Sequence, residues 1–185
     1  MNILLKPIDM IYNWARANSL TPLIFSASCC SSEILSLSEY SSDNIYFDTN
    51  ITSENPRNAD LLIVAGIITH KNAPALLRLY EQMPEQKYVI AAGACACSGG
   101  AFKNNSYTVI SGADKIIPVD IYLPGCPPKA QEIQNAINKL KKKIMEETIS
   151  KRSKYLDSHT TNFVLSENQE ILINKNMQRK EKIGN

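Results

Sequence analysis

The sequence has no apolar stretch of the length that a membrane-spanning helix requires. Its longest apolar run, residues 61–68, is broken only by Gly66 and falls far short of the roughly 20 residues needed. The amino terminus is apolar only in short pieces, because Lys6, Pro7 and Asp9 interrupt it. The sequence alone therefore predicts neither a transmembrane helix nor a secretory signal.

Two further signatures are missing. No Gly-x-Gly-x-x-Gly fingerprint follows a strand-like run, so we do not expect NADH to bind this chain. No helix-turn-helix, zinc-finger or aromatic stacking pattern is present either. The basic charge lies in a tail, since residues 1–138 carry a net charge of −3 and residues 139–185 carry +5. Nucleic acid is therefore not an expected partner.

The composition is that of an ordinary globular chain. The 185 residues are 44% hydrophobic and 21% charged, which fits one domain with a sizeable core plus extensions. The five cysteines are an odd number for a disulfide framework, and several lie in turns after apolar runs. Metal ligation in a reducing compartment explains them better than disulfide stapling does.

Strand-like and helix-like segments alternate along the middle of the chain. Continuous apolar runs that end near glycine or other small residues indicate strands covered on both faces, and an apolar stripe indicates a helix that covers them. This alternation predicts a right-handed, largely parallel α/β sheet flanked by helices. The predicted strands are 21–28, 60–66, 88–92 and 116–123, the last interrupted at Asp120, and the predicted helices are 75–82 and 130–145. The predicted stripe of the last helix is Ile133, Ala136, Ile137, Leu140 and Ile144.

The two ends of the chain are expected to lie outside this unit. Residues 7–18 read as an amphipathic helix, with Ile8, Ile11, Tyr12 and Ala15 on one face. Trp14 is expected to be a packing anchor, with contact to a partner or a membrane interface as the alternative. We thus predict a docking helix in 1–20, the sheet domain in 21–147 and a polar tail in 148–185, flexible or docked on a partner.

Four cysteines carry the chemistry. Cys29 and Cys30 follow the first predicted strand, Cys95 lies in a glycine-rich turn and Cys126 in a proline-rich one. Ligands of open α/β sheets gather beyond the carboxyl ends of the strands, so the four thiolates are expected to meet at one edge. They suit an iron–sulfur cubane or a closed zinc site. The Cys-x-x-Cys knuckles usual in structural zinc sites are absent, which favours the cubane.

The tandem cysteines pose a geometric problem. Adjacent residues in an extended chain point to opposite sides, so both thiols reach one centre only if the backbone bends, at an expected cost of about 1–3 kcal/mol. Nearby glycines suit close approach of the backbone to a bulky group, and nearby prolines fix the last loop. These residues are Gly93, Gly99, Gly100, Gly125, Pro124, Pro127 and Pro128.

Three motifs also carry a family resemblance. They are Ala-Ser-Cys-Cys-Ser-Ser-Glu (27–33), Gly-Ala-Cys-Ala-Cys-Ser-Gly-Gly-Ala-Phe (93–102) and Pro-Gly-Cys-Pro-Pro (124–128). Together with the apolar segments between them, they resemble the 20 kDa, PSST-type iron–sulfur subunit of NADH-quinone oxidoreductase, respiratory complex I. The resemblance runs collinearly over residues 8–145. The tandem cysteines distinguish it from the small subunits of nickel–iron hydrogenases, which typically carry Cys-x-x-Cys at that position.

The resemblance implies a flavodoxin-like α/β fold and one [4Fe–4S] cluster, the last electron carrier before quinone. By motif match its ligands are Cys29, Cys30, Cys95 and Cys126. Cys97 stands where the family is expected to have serine and is interpreted as a thiol near the cluster, not as a ligand. The implied activity is that of an NADH:quinone oxidoreductase (translocase), expressed only in the assembled complex.

The resemblance also implies partners and a location. The partners are quinone, the 49 kDa hydrogenase-like subunit, the ferredoxin-like two-cluster subunit and a membrane-arm subunit near the quinone channel. The expected location is peripheral, on the cytoplasmic side of a bacterial inner membrane or the matrix side of an organellar one.

One departure from the family bears on quinone binding. Residues 45–48, Ile-Tyr-Phe-Asp, stand where the family tends to show Ala-Arg-Phe-Gly, so the expected arginine is missing. Glu33 or Tyr46 is hypothesised to influence proton traffic nearby. Two alternatives stay open: an electron-transfer subunit of a membrane-bound nickel–iron hydrogenase-type complex, and a non-catalytic structural module that has lost the cluster.

Overall fold

Four parallel strands form one sheet, and helices cover both of its faces. A computed structural model describes residues 5–26, 28–34, 55–103 and 106–147, with side chains from Asp9 onward. The strands are β1 (Pro22–Ser26), β2 (Leu61–Ala65), β3 (Tyr88–Ala92) and β4 (Ile121–Leu123). The helices are α1 (Leu5–Asn18), α2 (Ala73–Gln82), α3 (Ala94–Ser98) and α4 (Ala130–Glu146). Short 3-10 turns lie at Pro56–Asn58, Gly100–Phe102 and Ala113–Lys115, and residues 30–34 are helical.

The sheet confirms the predicted α/β class. Its described strands pair in the order β1-β2-β3-β4, and every pair is parallel. Ile24 lies opposite Ile63, and Ile63 lies opposite Ile90. Because all strands run the same way, their carboxyl ends, and the turns that follow them, meet at one edge.

Side chains alternate between two cores, one on each face of the sheet. On the first face, Ile63 and Ile90 pack against α4 together with Ala17 of α1 and Ile34. On the second face, Val64 and Val89 pack with α2 and the loop at 110–119. All five residues of β2 and of β3 are buried, as the continuous apolar runs predict for strands covered on both faces.

Helix α4 confirms the predicted stripe completely. Its buried residues are Ile133, Ala136, Ile137, Leu140 and Ile144, and fully burying each large aliphatic side chain stabilises the fold by roughly 1.5–3 kcal/mol. The helix begins after Lys129, whose N–H donates to the Glu132 carboxylate at 3.0 Å, while the N–H of Glu132 donates to the Lys129 carbonyl at 2.9 Å. These reciprocal bonds fix the point where the helix starts.

Helix α1 forms as predicted, but its apolar face does not cover this chain's core. Among the side chains described from Asp9 onward, Asn13 and Ala17 are the buried positions of the helix, whereas Ile11, Tyr12 and Ala15 are exposed. The expectation that Trp14 is a packing anchor in this chain is also wrong, since 59% of its surface is exposed.

Polar contacts explain why the other face of α1 turns inward. The Asn13 amide donates to the Glu147 carbonyl at 2.5 Å. The Arg16 guanidinium lies 5.5 Å from the ring centroid of Tyr12 and 5.3 Å from that of Tyr88, and it donates to the Gln86 carbonyl at 2.9 Å. These partly buried hydrogen bonds and the cation–π contacts favour the polar face of the helix as the one turned inward.

The predicted last strand is shorter than expected. Only Ile121–Leu123 pairs with β3, while Ile117 and Val119 are buried without strand pairing. Pro118 between them has no N–H to donate to a ladder. Asp120 then marks where pairing begins, because its N–H donates to the Val89 carbonyl at 2.9 Å and its carboxylate accepts from the Val89 N–H at 3.0 Å.

Some predictions fall outside the described residues. These are the segment 45–48 with the missing arginine and the tail at 148–185. Within the residues that are described, none of the helices has both the length and the apolar character for a membrane span.

Candidate metal centre

The four predicted cysteines lie just beyond the carboxyl ends of three strands. Cys29 and Cys30 follow β1, Cys95 follows β3 and Cys126 follows β4. All four thiols are free, and they range from buried Cys30 to exposed Cys29 and Cys126. Since β2 separates β1 from β3, the turn after β1 must cross the end of β2 for these thiols to meet.

Gly66, directly after β2, makes this crossing possible. Its φ is +97°, and a Cβ built there would lie 2.1 Å from the hydroxyl of Ser28 and 3.0 Å from the Ser28 nitrogen. Only glycine leaves room for the β1 turn to pass this closely over β2. The Ser28 hydroxyl accepts a hydrogen bond from the Ile67 N–H at 3.2 Å, which ties the two segments together.

The tandem cysteines occupy the middle of a hydrogen-bonded turn. The carbonyl of Ser28 accepts from the Ser31 N–H at 3.0 Å and from the Ser31 hydroxyl at 2.6 Å. Cys29 and Cys30 are the two central residues of that turn, which is the local bend that adjacent ligands require. In the described part of the chain, only glycines have positive φ, so the strain expected for this bend is not seen.

Backbone hydrogen bonds hold Cys95 next to Cys126. The Gly93 N–H donates to the Leu123 carbonyl at 2.9 Å, and the Ala94 N–H donates to the Gly125 carbonyl at 2.7 Å. These bonds join the segment that enters α3 to the loop after β4. That loop is itself tight, since a Cβ on Gly125 would lie 2.6 Å from the Cα of Pro128.

Two glycines lie directly against the thiols. A Cβ on Gly93 would be 2.6 Å from the Cys30 sulfur, and one on Gly100 would be 3.0 Å from the Cys95 sulfur. Four soft thiolate donors from three segments, with glycine where side chains would collide with them, fit a bulky sulfur-ligated group such as an iron–sulfur cluster. Gly99, by contrast, lies against Ser111 and Lys103.

The thiols influence one another electrostatically. Burial, then the neighbouring Cys29, then Cys95 and Cys126 raise the pKa of Cys30 from 9.0 to about 11. Burial, then Cys126 and Cys29, raise the pKa of Cys95. Cys30 and Cys95 therefore lie within electrostatic range of the other cysteines at this edge of the sheet. Because metals bind thiolates, filling the site must release protons.

Cys97 stands apart from this group. Its thiol donates to the Ala91 carbonyl at 3.3 Å and packs against the core on the α2 side of the sheet. Burial raises its pKa, the backbone N–H of Leu123 lowers it, and Asp114 raises it. Residues two apart on a helix do not share a face, which accounts for the separation of Cys97 from Cys95.

The comparison with protein families settles the chain's relationship. The family model described as the 20 kDa subunit of NADH ubiquinone oxidoreductase matches residues 28–140, which include all of the cysteines. The chain belongs to this family of 20 kDa subunits.

Relatives within the 20 kDa subunit family match nearly the whole chain. The NAD(P)H-quinone oxidoreductase subunit K of Prochlorococcus marinus (strain AS9601) is 49% identical over 181 residues, covering 94% of this chain and 74% of the relative. Subunit K of Nostoc punctiforme (strain ATCC 29133 / PCC 73102) is 49% identical over 180 residues, covering 96% of this chain and 73% of the relative.

A solved structure shares the fold. A chain of the membrane-bound sulfane sulfur reductase, described as an archaeal respiratory membrane complex, superposes with a TM-score of 0.66. It is 26% identical and covers 90% of this chain and 96% of its own.

The structure of this 20 kDa family member adds residues that sequence reasoning missed. The sequence places Ser28 in the first strand and Gly66 only at the end of the second, whereas both hold the tandem-cysteine turn in place. A small polar residue immediately before tandem cysteines, together with a glycine ending the neighbouring strand, is the signal that could have found them. Among the described residues, no group of three or more His, Cys, Asp or Glu side chains is arranged to hold a single metal ion.

Proposed function

We propose that this chain is the electron-transfer subunit of an NADH:quinone oxidoreductase and holds one [4Fe–4S] cluster through Cys29, Cys30, Cys95 and Cys126. The observation that carries the proposal is that these four cysteines lie just beyond the carboxyl ends of three strands, in segments that backbone hydrogen bonds and close-packed glycines hold together. When bound, such a cluster supplies one-electron transfer. Quinone takes up two electrons and two protons to become quinol, so two successive transfers complete its reduction.

The protein's own part is to position the ligands and to limit water. Cys30 is 3% exposed and is enclosed by Gly93, whereas Cys29 and Cys126 are exposed. One side of the site is therefore packed into the domain, and the other side is open to neighbouring subunits. Burial and hydrogen bonds around the sulfurs are the means by which such a chain sets the cluster potential.

The open side suits the partners that the family relationship suggests. Electrons arrive from the ferredoxin-like two-cluster subunit, and quinone is held between this chain and the 49 kDa hydrogenase-like subunit, beside a membrane-arm subunit. The chain is peripheral, on the cytoplasmic side of a bacterial membrane or the matrix side of an organellar one. The relatives are named NAD(P)H-quinone oxidoreductase subunit K, and this name supports a place for the chain in a quinone oxidoreductase.

The test is metal analysis with low-temperature EPR on the reduced complex, purified without oxygen. We expect the wild-type complex to hold about four more irons and four more acid-labile sulfides per copy of this chain than the Cys95→Ala complex, the content of one cubane. Cys95→Ala is expected to abolish the reduced-cluster signal. Cys97→Ala is the matched control, two residues away on the same helix, and is expected to keep it. Equal iron contents in the wild-type and Cys95→Ala complexes, with no EPR signal lost, would refute the proposal and favour the structural module.

A further inference from the structure

Ser28 is placed to hold the tandem cysteines in position. It is the first residue of the turn that contains Cys29 and Cys30, and both its side chain and its backbone are engaged. The carbonyl closes the turn by accepting from Ser31, while the hydroxyl accepts from the Ile67 N–H at 3.2 Å. One residue thus joins the turn to the segment after β2.

That link lies where the turn needs support. Adjacent strands lie about 4.8 Å apart, so a thiol that starts beyond β1 must be carried across the width of β2, roughly 10 Å in all, to reach β3. Cys30 completes this crossing, since its sulfur lies against Gly93 at the end of β3. The side-chain bond from Ser28 to Ile67 is made midway, directly after Gly66.

We infer that Ser28 is a positioning residue, whose hydroxyl ties the turn to Ile67 and thereby keeps the Cys30 thiol buried at Gly93. The inference deepens the proposed function, because the same turn supplies two of the four proposed cluster ligands. It also makes a claim about the thiols themselves that holds with or without a cluster. Loss of the hydroxyl is expected to release the turn and expose the Cys30 thiol. The exposure of the Cys95 thiol, which lies on another segment, is expected to stay the same.

The test compares three full-length chains in their metal-free form: wild type, Ser28→Ala and the matched control Ser32→Ala. Ser32 is an exposed serine close by on the same segment. Alkylation by iodoacetamide is followed for each cysteine by mass spectrometry. A hydrogen bond of ordinary strength corresponds to roughly a 2- to 12-fold change in an equilibrium constant. Alkylation of Cys30 in Ser28→Ala is expected to be faster than in the wild type by that factor, while the alkylation rate of Cys95 is unchanged. In Ser32→Ala both rates are expected to equal those of the wild type.

Two results would overturn the inference. Equal Cys30 rates in Ser28→Ala and wild type would show that the hydroxyl does not hold the turn. Equal acceleration of Cys30 and Cys95 would indicate general loosening of the domain. Should Ser28→Ala fail to fold by circular dichroism, Ser28→Gly and Ser28→Thr are compared instead, since the first lacks the hydroxyl that accepts from the Ile67 N–H and the second keeps it. Cys30 is expected to be alkylated faster in Ser28→Gly than in Ser28→Thr, and equal Cys30 rates in the two variants would overturn the inference.

A second readout uses the assembled complex. Ser28→Ala is expected to shift the g-values or broaden the lines of the reduced-cluster EPR signal, whereas the spectrum of Ser32→Ala is expected to match that of the wild type. An unchanged Ser28→Ala spectrum would contradict a positioning role at the cluster. If the wild-type complex itself lacks the signal, the proposed function fails, and the alkylation rates still decide the role of Ser28.

Discussion

Replacing Gly93 with alanine is expected to displace the buried thiol of Cys30. Gly93 has φ +95° and ψ 153°, a region that only glycine visits readily, so the backbone alone costs about 1–3 kcal/mol. The new Cβ would lie 2.6 Å from the Cys30 sulfur, well inside the ordinary contact distance of 3.4–4 Å. Overpacking of this kind costs a further 1–3 kcal/mol or so. The free energy of unfolding is therefore expected to fall by about 2–6 kcal/mol.

The assay is urea unfolding of the metal-free full-length chain, followed by far-UV circular dichroism and arranged as a double-mutant cycle. Cys30→Ala removes the sulfur that the new methyl group meets but leaves the backbone conformation of Gly93 as it is. In that background Gly93→Ala is expected to cost only the backbone part, about 1–3 kcal/mol.

The difference between the two backgrounds measures the contact itself and is expected to be about 1–3 kcal/mol. The same cost for Gly93→Ala with and without the sulfur would refute the reasoning. In that case Gly93 would be needed for its backbone angles alone, and the close approach of the Cys30 thiol would not depend on it.

Three further predictions concern stability and are read from urea midpoints. Burial raises the pKa of Cys30 from 9.0 to about 11 in the folded chain, so the folded state keeps this proton to a higher pH than the unfolded chain does. The free energy of unfolding of the metal-free chain is therefore expected to fall as the pH rises from 9.0 to about 11, and Cys30→Ser is expected to reduce that slope. A slope that the substitution leaves unchanged would contradict this. Asp120→Ala is expected to cost about 2–4 kcal/mol, since its 1%-exposed carboxylate accepts from the Val89 N–H and from Lys143, each at 3.0 Å. Lys143→Met removes only the second of these bonds and is expected to cost less, about 1–3 kcal/mol; a larger cost for Lys143→Met than for Asp120→Ala would contradict this. Trp14→Ser is expected to change the free energy of unfolding by less than about 0.5 kcal/mol, whereas Asn13→Ala is expected to lower it by about 1–2 kcal/mol. A larger loss for Trp14→Ser than for Asn13→Ala would restore Trp14 as the packing anchor.

The sheet could be predicted because its sequence signals are local. β2 and β3 are continuous apolar runs that end at a glycine, and the sequence predicts both within one residue of their observed bounds. The stripe of α4 is predicted completely for the same reason, because the residues of its buried face recur at helical spacing within one continuous segment. Once the strands are parallel, the meeting of their carboxyl ends follows from topology, which is why the gathering of the four cysteines was predictable.

Long-range polar contacts could not be predicted. The apolar spacing of α1 shows that the helix has an apolar face but not what covers it, and Arg16 and Asn13 turn the other face inward through partners 70 and 134 positions away. Residues 116–119 look like a strand because they are apolar, yet Pro118 removes a ladder donor. The tie from Ser28 to Ile67 spans 39 positions and has no counterpart in local propensity.

Ionisation of the thiols is coupled to metal binding, whereas the contacts that hold their segments are not. Cys29, Cys95 and Cys126 each raise the pKa of Cys30, so ionising one thiol makes the next harder to ionise. A cationic metal centre held by these cysteines would reverse this effect, because its own charge would be the largest in the site and would favour every thiolate at once. The free energy of metal binding is thus coupled to the ionisation of all four cysteines. The turns that carry the cysteines are held by contacts that do not depend on charge, among them the bonds from Ser28 to Ile67 and from Ala94 to Gly125.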